Sequence, residues 1–526
     1  MKRPWDQHVA KGNPKQIDIP KLSLPQFFMD AAKKYPKQTA ITFFEQTYTY
    51  EKLADSIQRL ASAWVQYGIE KGDRIAIMLP NCPAYPISFY ATVQCGAIVV
   101  QVNPMYQPDE LLHVFQDSEP RLLIILDKLI PVVQPILDQT SITRVIEVSL
   151  DRHDPFHQLL QQTQLTSTFP IIDPPKDVAV IQYTGGTTGR SKGAMLTHYN
   201  IVANTLQGAA TARVITEKGK EKLLAIAPLC HVYGMTGAMC ITFYNGGNLI
   251  LVPRFEVESV VKLIEKMKPT HFPGAPTMYI ALLQYYQKHS FDLSCLKACT
   301  SGSAPLPVEV INRFNQISKT SVSEGYGLSE ASPVTHRNPI VGIQKHGSIG
   351  IPVPNTDAKI VDITTGENTL ACGEVGELII KGPQIMKGYW KMPEETALTL
   401  RDGWLFTGDL AKMDEDGFFY IVGRKKELII ASGYNVYPIE VEDVLYRHEK
   451  ILEACVIGIP DAYRGETVKA VVVLKPGEQL SAEELILFCR KRLAAYKVPT
   501  HVTFTNELPK TFVGKILKRK LKESGA

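Results

Sequence analysis

The stretch VAVIQYTGGTTGRSKG, residues 178–193, decides how this 526-residue chain is interpreted. Residues 178–183 are mostly apolar and predict a buried strand. Residues 184–193 then supply four glycines, three threonines and two cations. Glycine lets backbone N–H groups turn toward an anion, while the threonine hydroxyls, Arg190 and Lys192 add further contacts. A strand followed by this loop predicts a phosphate-binding site.

The loop differs from a Walker A loop. That motif requires Gly, four residues and then Gly-Lys-Ser/Thr, but the sixth position is Arg190 counted from Gly185 and Ser191 counted from Gly186. A flexible linker is the alternative interpretation. Three threonines directly behind an apolar strand are not typical of a linker, so phosphate binding is favoured.

Regions around the loop predict an α/β fold. An apolar stripe at Leu53, Ile57, Leu60 and Trp64 has helical spacing and stops at Gly68, a typical helix end. Continuous apolar runs that predict buried strands are mostly separated by helix-length segments, which favours parallel sheets covered on both faces. These runs are residues 75–79, 97–102, 122–127, 178–183, 223–227 and 249–252.

After about residue 340 the pattern changes to glycine-rich, hairpin-like strands. Residues 373–382 and 414–422 are examples, and the Asp416-Gly417 step predicts a turn. A smaller antiparallel unit is therefore expected here. Residues 490–526 carry ten Lys or Arg and two Glu, a net charge of +8. This tail is either a solvated basic helix or a surface that meets an anionic, phosphate-bearing ligand.

Composition excludes several classes of protein. Apolar residues make up 45% and charged residues 21% of the chain, as in globular proteins. The net charge of +4 is too small to predict nucleic-acid binding. Nine unevenly spaced cysteines favour a reducing compartment over a disulfide framework, and we expect a cytoplasmic protein. The longest apolar runs have five or six residues, far below the roughly 20 of a membrane-spanning helix.

Seven motifs in order resemble the adenylate-forming superfamily, which contains acyl-CoA synthetases, luciferases and nonribosomal peptide adenylation domains. The first is YTGGTTGRSKG, residues 183–193. The others are GSAP (302–305), EGYGLSE (324–330), GY with PEET (388–389 and 393–396), GWLFTGD (403–409), GRKK (423–426) and PKTFVGK (509–515). The segments PLCHVYGM, SEASPV and SGYNVYPIEVE are most similar to bacterial long-chain fatty-acid–CoA ligases.

The resemblance implies roles for individual residues. Thr184, Thr187 and Thr188 would hold the ATP phosphates, Tyr326 would lie against adenine, and Asp409 would accept both ribose hydroxyls. Catalytic roles are implied for Lys515, Glu330 and His231, with Glu330 and Thr188 as the Mg²⁺ ligands. The cofactor-binding set is completed by Gly185, Gly186, Gly189, Lys192, Gly302, Ser303, Ala304, Pro305, Glu324, Gly325, Gly327, Ser329, Ile421, Arg424, Gly433 and Tyr434.

The same resemblance predicts three parts of the chain. An N-terminal adenylation domain would span residues 1–422, a hinge residues 423–426 with Lys426 as its pivot, and a mobile α+β domain residues 427–526. The small domain would rotate so that Lys515 leaves the site and the face near Gly433 enters. The segment 232–244 either lines an acyl tunnel or is an ordinary core helix, and His231 is either a ligand of the acyl carboxylate or a core histidine.

The predicted reaction joins a fatty acid to coenzyme A. The acid attacks the α-phosphorus of ATP and releases pyrophosphate, and the CoA thiol then displaces AMP. A medium-chain or aryl acid is the alternative substrate. A nucleotide-binding scaffold without chemistry would lack Lys515 and Glu330, and both are present. Chain length, peripheral contact with a membrane and homodimer formation are left open by the sequence. Two departures from the usual family motifs, Ser191 and Gly185, leave the charges unchanged.

Overall fold

The computed structural model describes residues 3–150, 155–166, 168–184, 191–304, 306–431, 434–461, 464–510 and 516–523. The strands are β1 (Thr39–Phe43), β2 (Gln46–Thr49), β3 (Arg74–Met78), β4 (Ile98–Gln101), β5 (Leu122–Leu126), β6 (Arg144–Val148), β7 (Val178–Thr184), β8 (Lys192–Thr197), β9 (Lys222–Ala225), β10 (Asn248–Leu251), β11 (His271–Gly274), β12 (Ala298–Ser301), β13 (Val322–Gly327), β14 (Val334–Arg337), β15 (Ile351–Pro352), β16 (Asp357–Val361), β17 (Gly376–Lys381), β18 (Gly388–Tyr389), β19 (Leu400–Arg401), β20 (Trp404–Met413), β21 (Phe419–Arg424), β22 (Ile429–Ala431), β23 (Tyr434–Val436), β24 (Ile451–Asp461), β25 (Gly465–Leu474) and β26 (His501–Phe504).

The helices are α1 (Leu24–Lys34), α2 (Tyr50–Gln66), α3 (Ala84–Gln94), α4 (Pro108–Ser118), α5 (Ile130–Val133), α6 (Pro155–Gln162), α7 (His198–Thr211), α8 (Val232–Gly234), α9 (Ile241–Tyr244), α10 (Val257–Met267), α11 (Pro276–Tyr286), α12 (Val308–Ser318), α13 (Pro393–Thr399), α14 (Pro438–Tyr446), α15 (Ala482–Arg490) and α16 (Lys518–Glu523). A π-helical segment, Met235–Cys240, joins α8 to α9. Among the described residues, no helix is long and apolar enough to cross a membrane.

Two large sheets build the N-terminal region and confirm the expected α/β class. One has the order β15-β14-β13-β12-β11-β9-β10-β1-β2, and the other β18-β8-β7-β4-β3-β5-β6. Strands β3 to β7 pair in parallel with one another, and strands β9 to β13 do the same. The antiparallel pairs lie toward the edges of the two sheets. The six predicted strands lie within two residues of their expected ends. Helices and the facing sheets enclose one continuous apolar core.

Helix α2 has the predicted amphipathic form. It begins after Thr49, whose side chain accepts a hydrogen bond from the backbone N–H of Lys52. It ends before Gly68, which has a φ of +72° and so takes the left-handed conformation that glycine favours. The apolar stripe is buried, each side chain being at most 1% exposed: Leu53, Ile57, Leu60 and Trp64. The sequence pattern therefore identified the core face correctly.

Two smaller sheets follow in the chain. The first has the order β16-β17-β20-β19 with β21 on β20, and the second β23-β22-β25-β24 with β26 on β25. The predicted turn between β20 and β21 holds Gly417 at a φ of +83°. The second sheet contains only residues after 428 and packs with α14 and α15 around a core of its own. A smaller, β-rich C-terminal domain thus follows the large layered one.

Candidate functional site

The predicted phosphate loop is carried by a hairpin. Strand β7 ends at Thr184 and β8 begins at Lys192, and these two residues pair across the antiparallel ladder. The Thr184 hydroxyl lies 3.5 Å from the Lys192 carbonyl oxygen. The hairpin therefore brings together both ends of the loop. Its middle lies outside the described residues, with the predicted Gly185, Gly186, Thr187, Thr188 and Gly189.

Lys192 forms an ion pair at the loop end of this hairpin. Its Nζ contacts the carboxylate of Glu395, from helix α13, and lies 5.3 Å from the centre of the Tyr389 ring. The hydrogen bond from Lys192 lowers the pKa of Glu395, and the charge of Lys426 lowers it further. The lysine beside the phosphate loop is thus already neutralised by a carboxylate 203 positions away. The residue proposed as the hinge also lies near this carboxylate.

Glu330 lies in a short 3-10 turn, Ser329–Ala331, after strand β13. Its Oε1 accepts a 2.8 Å hydrogen bond from the Tyr389 hydroxyl, and its backbone carbonyl accepts one from Met386. Burial, followed by the charge of Glu330, raises the pKa of Tyr389, so the phenol remains a donor. Tyr389 therefore links Glu330 to the Lys192 end of the hairpin. One hydrogen bond leaves the carboxylate further acceptor capacity.

Asp409 is the centre of a second polar group. It is 3% exposed, accepts a 2.5 Å hydrogen bond from the Tyr326 hydroxyl, and its Oδ1 lies 2.9 Å from Arg424 Nε. Asp409 and Arg424 face each other in the β20–β21 hairpin. Burial, with the negative charge of Asp409, raises the pKa of Tyr326, while Asp409 chiefly raises that of Arg424. Three residues that the resemblance assigned to the nucleotide are thus in direct contact.

The segment after β12 forms the third part of the site. Gly302 follows the strand, and a Cβ at this position would lie 3.4 Å from the Tyr233 ring. Ser303 has a φ of +73°, a left-handed conformation that a residue with a side chain seldom adopts. Such strain is common where a backbone is shaped for a ligand. Ala304 is the last described residue of the motif, and Pro305 lies outside the described residues.

His231 precedes α8 and is half-buried. Its Nδ1 accepts a hydrogen bond from the backbone N–H of Tyr233 at 3.3 Å. The turn is fixed by Gly234, where a Cβ would lie 2.1 Å from the Pro228 carbonyl oxygen, too close for any side chain. His231 therefore caps the helix that places Tyr233 beside Gly302. This structural task leaves both predictions for His231 open.

The remaining predicted residues on β13 and β21 line the same region. Glu324 accepts a 3.0 Å hydrogen bond from the backbone N–H of Gly347, and burial raises its pKa to about 7. A Cβ at Gly325 would meet only the His336 carbonyl, at 3.6 Å, whereas one at Gly327 would lie 2.3 Å from the Pro333 oxygen. Ile421 packs in the core beneath β20 and β21. Ile421 is thus held by packing.

The C-terminal candidates are further apart. Lys426 lies in the exposed turn Lys425–Glu427, directly after β21. Tyr434 is 58% exposed and stacks on Tyr496 with ring centres 4.8 Å apart. Gly433 and Lys515 lie outside the described residues. Several cations of the basic tail form ion pairs with glutamates: Lys497, Lys510, Lys518 and Arg519. Both predictions for this tail, a solvated helix and a surface for an anionic ligand, stay open.

Sequence reasoning missed four side chains of this region. Glu395 and Tyr389 stood in matched motifs but had no assigned role, and Tyr233 was read only as part of an apolar segment. Arg337, in strand β14, was not singled out at all, although it borders a cavity beside Thr300. The signal that could have identified Arg337 is a single charged residue in a short, mostly apolar strand.

Comparisons with known proteins agree with this geometry. The AMP-binding enzyme family matches residues 28–390, and the C-terminal domain of AMP-binding enzymes matches residues 440–515. A long-chain-fatty-acid–CoA ligase of Bacillus subtilis is 48% identical, with 99% of this chain and 98% of the relative covered. A long-chain-fatty-acid–CoA ligase of Salmonella typhimurium is 38% identical, with the same coverage.

Solved structures have the same architecture. ATP-bound MatB from Rhodopseudomonas palustris superposes with a TM-score of 0.88 at 30% identity, covering 96% of this chain and 99% of that one. A benzoate CoA ligase from Burkholderia xenovorans superposes with a TM-score of 0.85 at 25% identity, covering 95% and 100%. The motifs, the paired side chains and these matches lead to one conclusion: the chain belongs to the family of AMP-binding enzymes.

Proposed function

We propose that this enzyme is an ATP-dependent fatty-acid–CoA ligase with a preference for long chains. It would convert a fatty acid and ATP to an acyl adenylate and pyrophosphate, and then the adenylate and CoA to acyl-CoA and AMP. One observation carries the proposal: the Tyr233 ring lies within 3.4 Å of a Cβ placed at Gly302 and of one placed at Gly237, and Gly237 lines a mostly apolar cavity. The 48% identity to the Bacillus subtilis ligase supports it.

The nucleotide would bind across the three polar groups described above. Asp409 offers two carboxylate oxygens to the ribose hydroxyls, and Tyr326 offers its ring to adenine. Thr184, Thr187 and Thr188 would donate to the phosphates, with Lys192 exchanging Glu395 for phosphate oxygens. Asp409, Tyr326 and Arg424 hold one another in place before ATP enters. Lys192 must instead give up its ion pair with Glu395.

Mg²⁺ is implied by the family, and the residues present fit it. Glu330 supplies a hard carboxylate oxygen, and its only described hydrogen-bond donor is Tyr389 on one of the two oxygens. Glu330, with Thr188, would hold the ion, which would neutralise phosphate charge when bound. Lys515 would carry the positive charge that the carboxylate and α-phosphate need during adenylation.

The acyl chain would occupy the cavity between helix α7, the segment 235–244 and strands β11 and β12. Gly237 and Ile241 line one wall, and Phe272 and Pro273 line the other. This arrangement favours the acyl-tunnel interpretation of the segment over an ordinary core helix. A medium-chain or aryl acid, as used by the benzoate CoA ligase with the same fold, is the alternative.

The second half-reaction needs a different arrangement of the C-terminal domain. We infer that residues 427–526 rotate about a hinge at 423–426, with Lys426 as the pivot, so that Gly433 and Tyr434 replace Lys515 at the site. The exposure of Lys426 and of Tyr434 supports this proposal. A cytoplasmic location, peripheral membrane contact and a homodimer stay predictions.

A panel of acids tests the substrate class. Purified, lipid-stripped protein is given ATP, Mg²⁺, CoA and acids from four to twenty carbons, together with benzoate, and AMP release is measured. We expect the highest kcat/KM for chains of twelve carbons or more. A maximum at benzoate or below ten carbons would favour the alternative, and no AMP release with any acid would refute the ligase activity.

Two variants separate the half-reactions. Lys515→Ala should slow adenylate formation by on the order of 10² to 10³, yet still convert synthetic acyl adenylate to thioester. Gly433→Leu should obstruct the thiol and leave adenylation largely intact. Single-turnover kinetics measure the rates of both steps in each variant. The variants are used only if their unfolding curves match that of the wild type. If both variants slow the same step, the proposed rotation is wrong.

A further inference from the structure

Arg337 brings a positive charge to the wall of the acyl cavity. It is the last residue of β14, and it borders the cavity together with Thr300 and Gly237. It also borders a second cavity, beneath the N-terminal residues Trp5 and Val9. A hydrocarbon chain in the first cavity therefore passes a guanidinium, a group that loses hydration there without gaining a contact.

The described residues leave this charge without a carboxylate. Arg337 Nη1 donates a 2.9 Å hydrogen bond to the Thr211 hydroxyl, and no described Asp or Glu lies within ion-pair distance. The hydroxyls of Tyr233 and Tyr279 are close enough to influence it, but both contact the Thr300 carbonyl. Burial lowers the pKa of Arg337 to about 10, so it stays protonated at neutral pH. Most of its five N–H donors remain available to a ligand.

A second charged residue that lines the same cavity, Glu221, has different partners. Glu221 is also buried there, with a side chain 6% exposed, but Lys297 lies 3.2 Å and His271 3.4 Å from its oxygens. Burial alone would raise the pKa of Glu221, but hydrogen bonds from His271 and Thr270 lower it to about 2, and Lys297 offsets the negative charge. Along one cavity the buried Glu221 thus has a lysine partner, whereas the half-buried Arg337 has no described carboxylate partner.

We infer that Arg337 is a specificity-determining residue that binds a second carboxylate carried by the acid substrate, so that dicarboxylic acids are accepted. The inference rests on the proposed function, because it concerns the acid that this site activates. One carboxylate would react with ATP as before, and the other would form a bidentate pair with the guanidinium. The reaction itself is unchanged.

The test compares acids that differ only in the second carboxylate. Saturated dicarboxylic acids of six to sixteen carbons, their monomethyl esters and the monocarboxylic acids of equal length are given to the wild-type enzyme with ATP, Mg²⁺ and CoA. We expect at least one diacid to exceed its monomethyl ester about tenfold in kcat/KM. If no diacid exceeds its ester by more than twofold at any length, the inference is wrong.

Variants show whether Arg337 causes the preference for diacids. Arg337→Met should abolish the preference for the diacid, measured as the ratio of kcat/KM for the diacid to kcat/KM for its monomethyl ester. Arg337→Lys should keep part of the preference, and Thr211→Val should weaken it by a few fold. Arg313→Met, on the exposed face of α12, is the matched control and should change nothing.

The outcomes distinguish the two proposals. If Arg337→Met lowers kcat/KM for diacid and monoacid equally, Arg337 is only structural and the inference fails, whereas the ligase proposal stands. If the wild type activates no acid, the ligase proposal fails first. If Arg337→Met does not fold, the comparison of diacid with monomethyl ester in the wild-type enzyme still tests whether a second carboxylate is bound.

Discussion

The nucleotide side of the site and the acyl cavity handle buried charge in opposite ways. Around the nucleotide, Asp409 is paired with Arg424, and Lys192 with Glu395. In the acyl cavity, Arg337 has a hydroxyl as its partner and no described carboxylate. The charges of the first region are paired within the protein, whereas Arg337 would obtain its counter-charge from the ligand in the proposal made above.

This difference has a physical consequence for each substrate. ATP must replace contacts that the protein already makes, so removing one partner there leaves another buried charge uncompensated. In the proposed arrangement the acid would enter a cavity where Arg337 has no described carboxylate partner, so a second carboxylate on the substrate would supply the missing counter-charge. Mutations in the two regions should therefore change different kinetic constants.

The largest effect is expected at Glu330. Glu330→Gln keeps the shape but removes the charge that would hold Mg²⁺, so we expect adenylate formation to slow on the order of 10²-fold, with a higher Mg²⁺ requirement. Tyr389→Phe is the matched control, because it removes only the 2.8 Å hydrogen bond to the same carboxylate. Rapid-quench measurement of adenylate at varied Mg²⁺ checks this. Equal effects of both changes would contradict a metal role.

Asp409→Ala should follow in size. The ribose would lose a charged acceptor and Arg424 its partner, so KM for ATP should rise roughly 10- to 100-fold, as expected for a charged hydrogen bond of about 1.5–3 kcal/mol. KM for the fatty acid should change little. Steady-state kinetics with each substrate varied give both values, and an unchanged KM for ATP would remove Asp409 from the site.

Much of the nucleotide side could be predicted from sequence. The Asp416-Gly417 turn predicts the β20–β21 hairpin, and the matched motifs predict that Asp409 and Arg424 share a site. Their direct pairing depends on a register shift between Leu410 and Ala411, which the turn does not predict. Lys192 and Glu395 are separated by 203 positions, and their contact depends on how α13 packs against the β7–β8 hairpin. No local pattern encodes that distance.

The acyl cavity could be predicted less well. The sequence of segment 232–244 predicts a core helix and the wall of an acyl tunnel equally well, because small apolar residues are typical of both. The position of Arg337 at the cavity depends on which face of β14 meets α7. The pairing of β14 with β13 determines this face, and the sequence around Arg337 does not reveal it. The large α/β fold followed from hydrophobic periodicity, whereas the specificity of the cavity depends on tertiary packing.

The Lys192–Glu395 pair allows a smaller test of the comparison. Lys192→Met removes a phosphate contact and should raise KM for ATP about tenfold. Glu395→Gln instead releases the lysine from its internal partner, so KM for ATP should stay constant or fall two- to threefold. A tenfold rise in both variants would mean that the ion pair has a structural role and that the nucleotide does not exchange with it.

Glu324 is the exception on the nucleotide side and gives the smallest effect. Its described partner is a backbone N–H, and burial raises its pKa to about 7 from an ordinary value of 4.5. Folding therefore favours the protonated carboxyl, whose contribution is complete below pH 4.5 and is lost as pH rises through 7. The free energy of unfolding of Glu324→Gln should therefore fall less between pH 5 and pH 8 than that of the wild type. Denaturant unfolding at pH 5 and 8 measures it, and an identical pH dependence in both proteins would exclude Glu324.

Acid-dependent exchange of labelled pyrophosphate into ATP tests the central claim most directly. The measurement uses lipid-stripped wild-type protein with Mg²⁺, in the absence of CoA. The account predicts exchange that requires a fatty acid and Mg²⁺ and does not need CoA, because adenylate formation precedes the CoA step in the proposed reaction. Exchange that is equal with and without the acid, or that appears only when CoA is present, would contradict it.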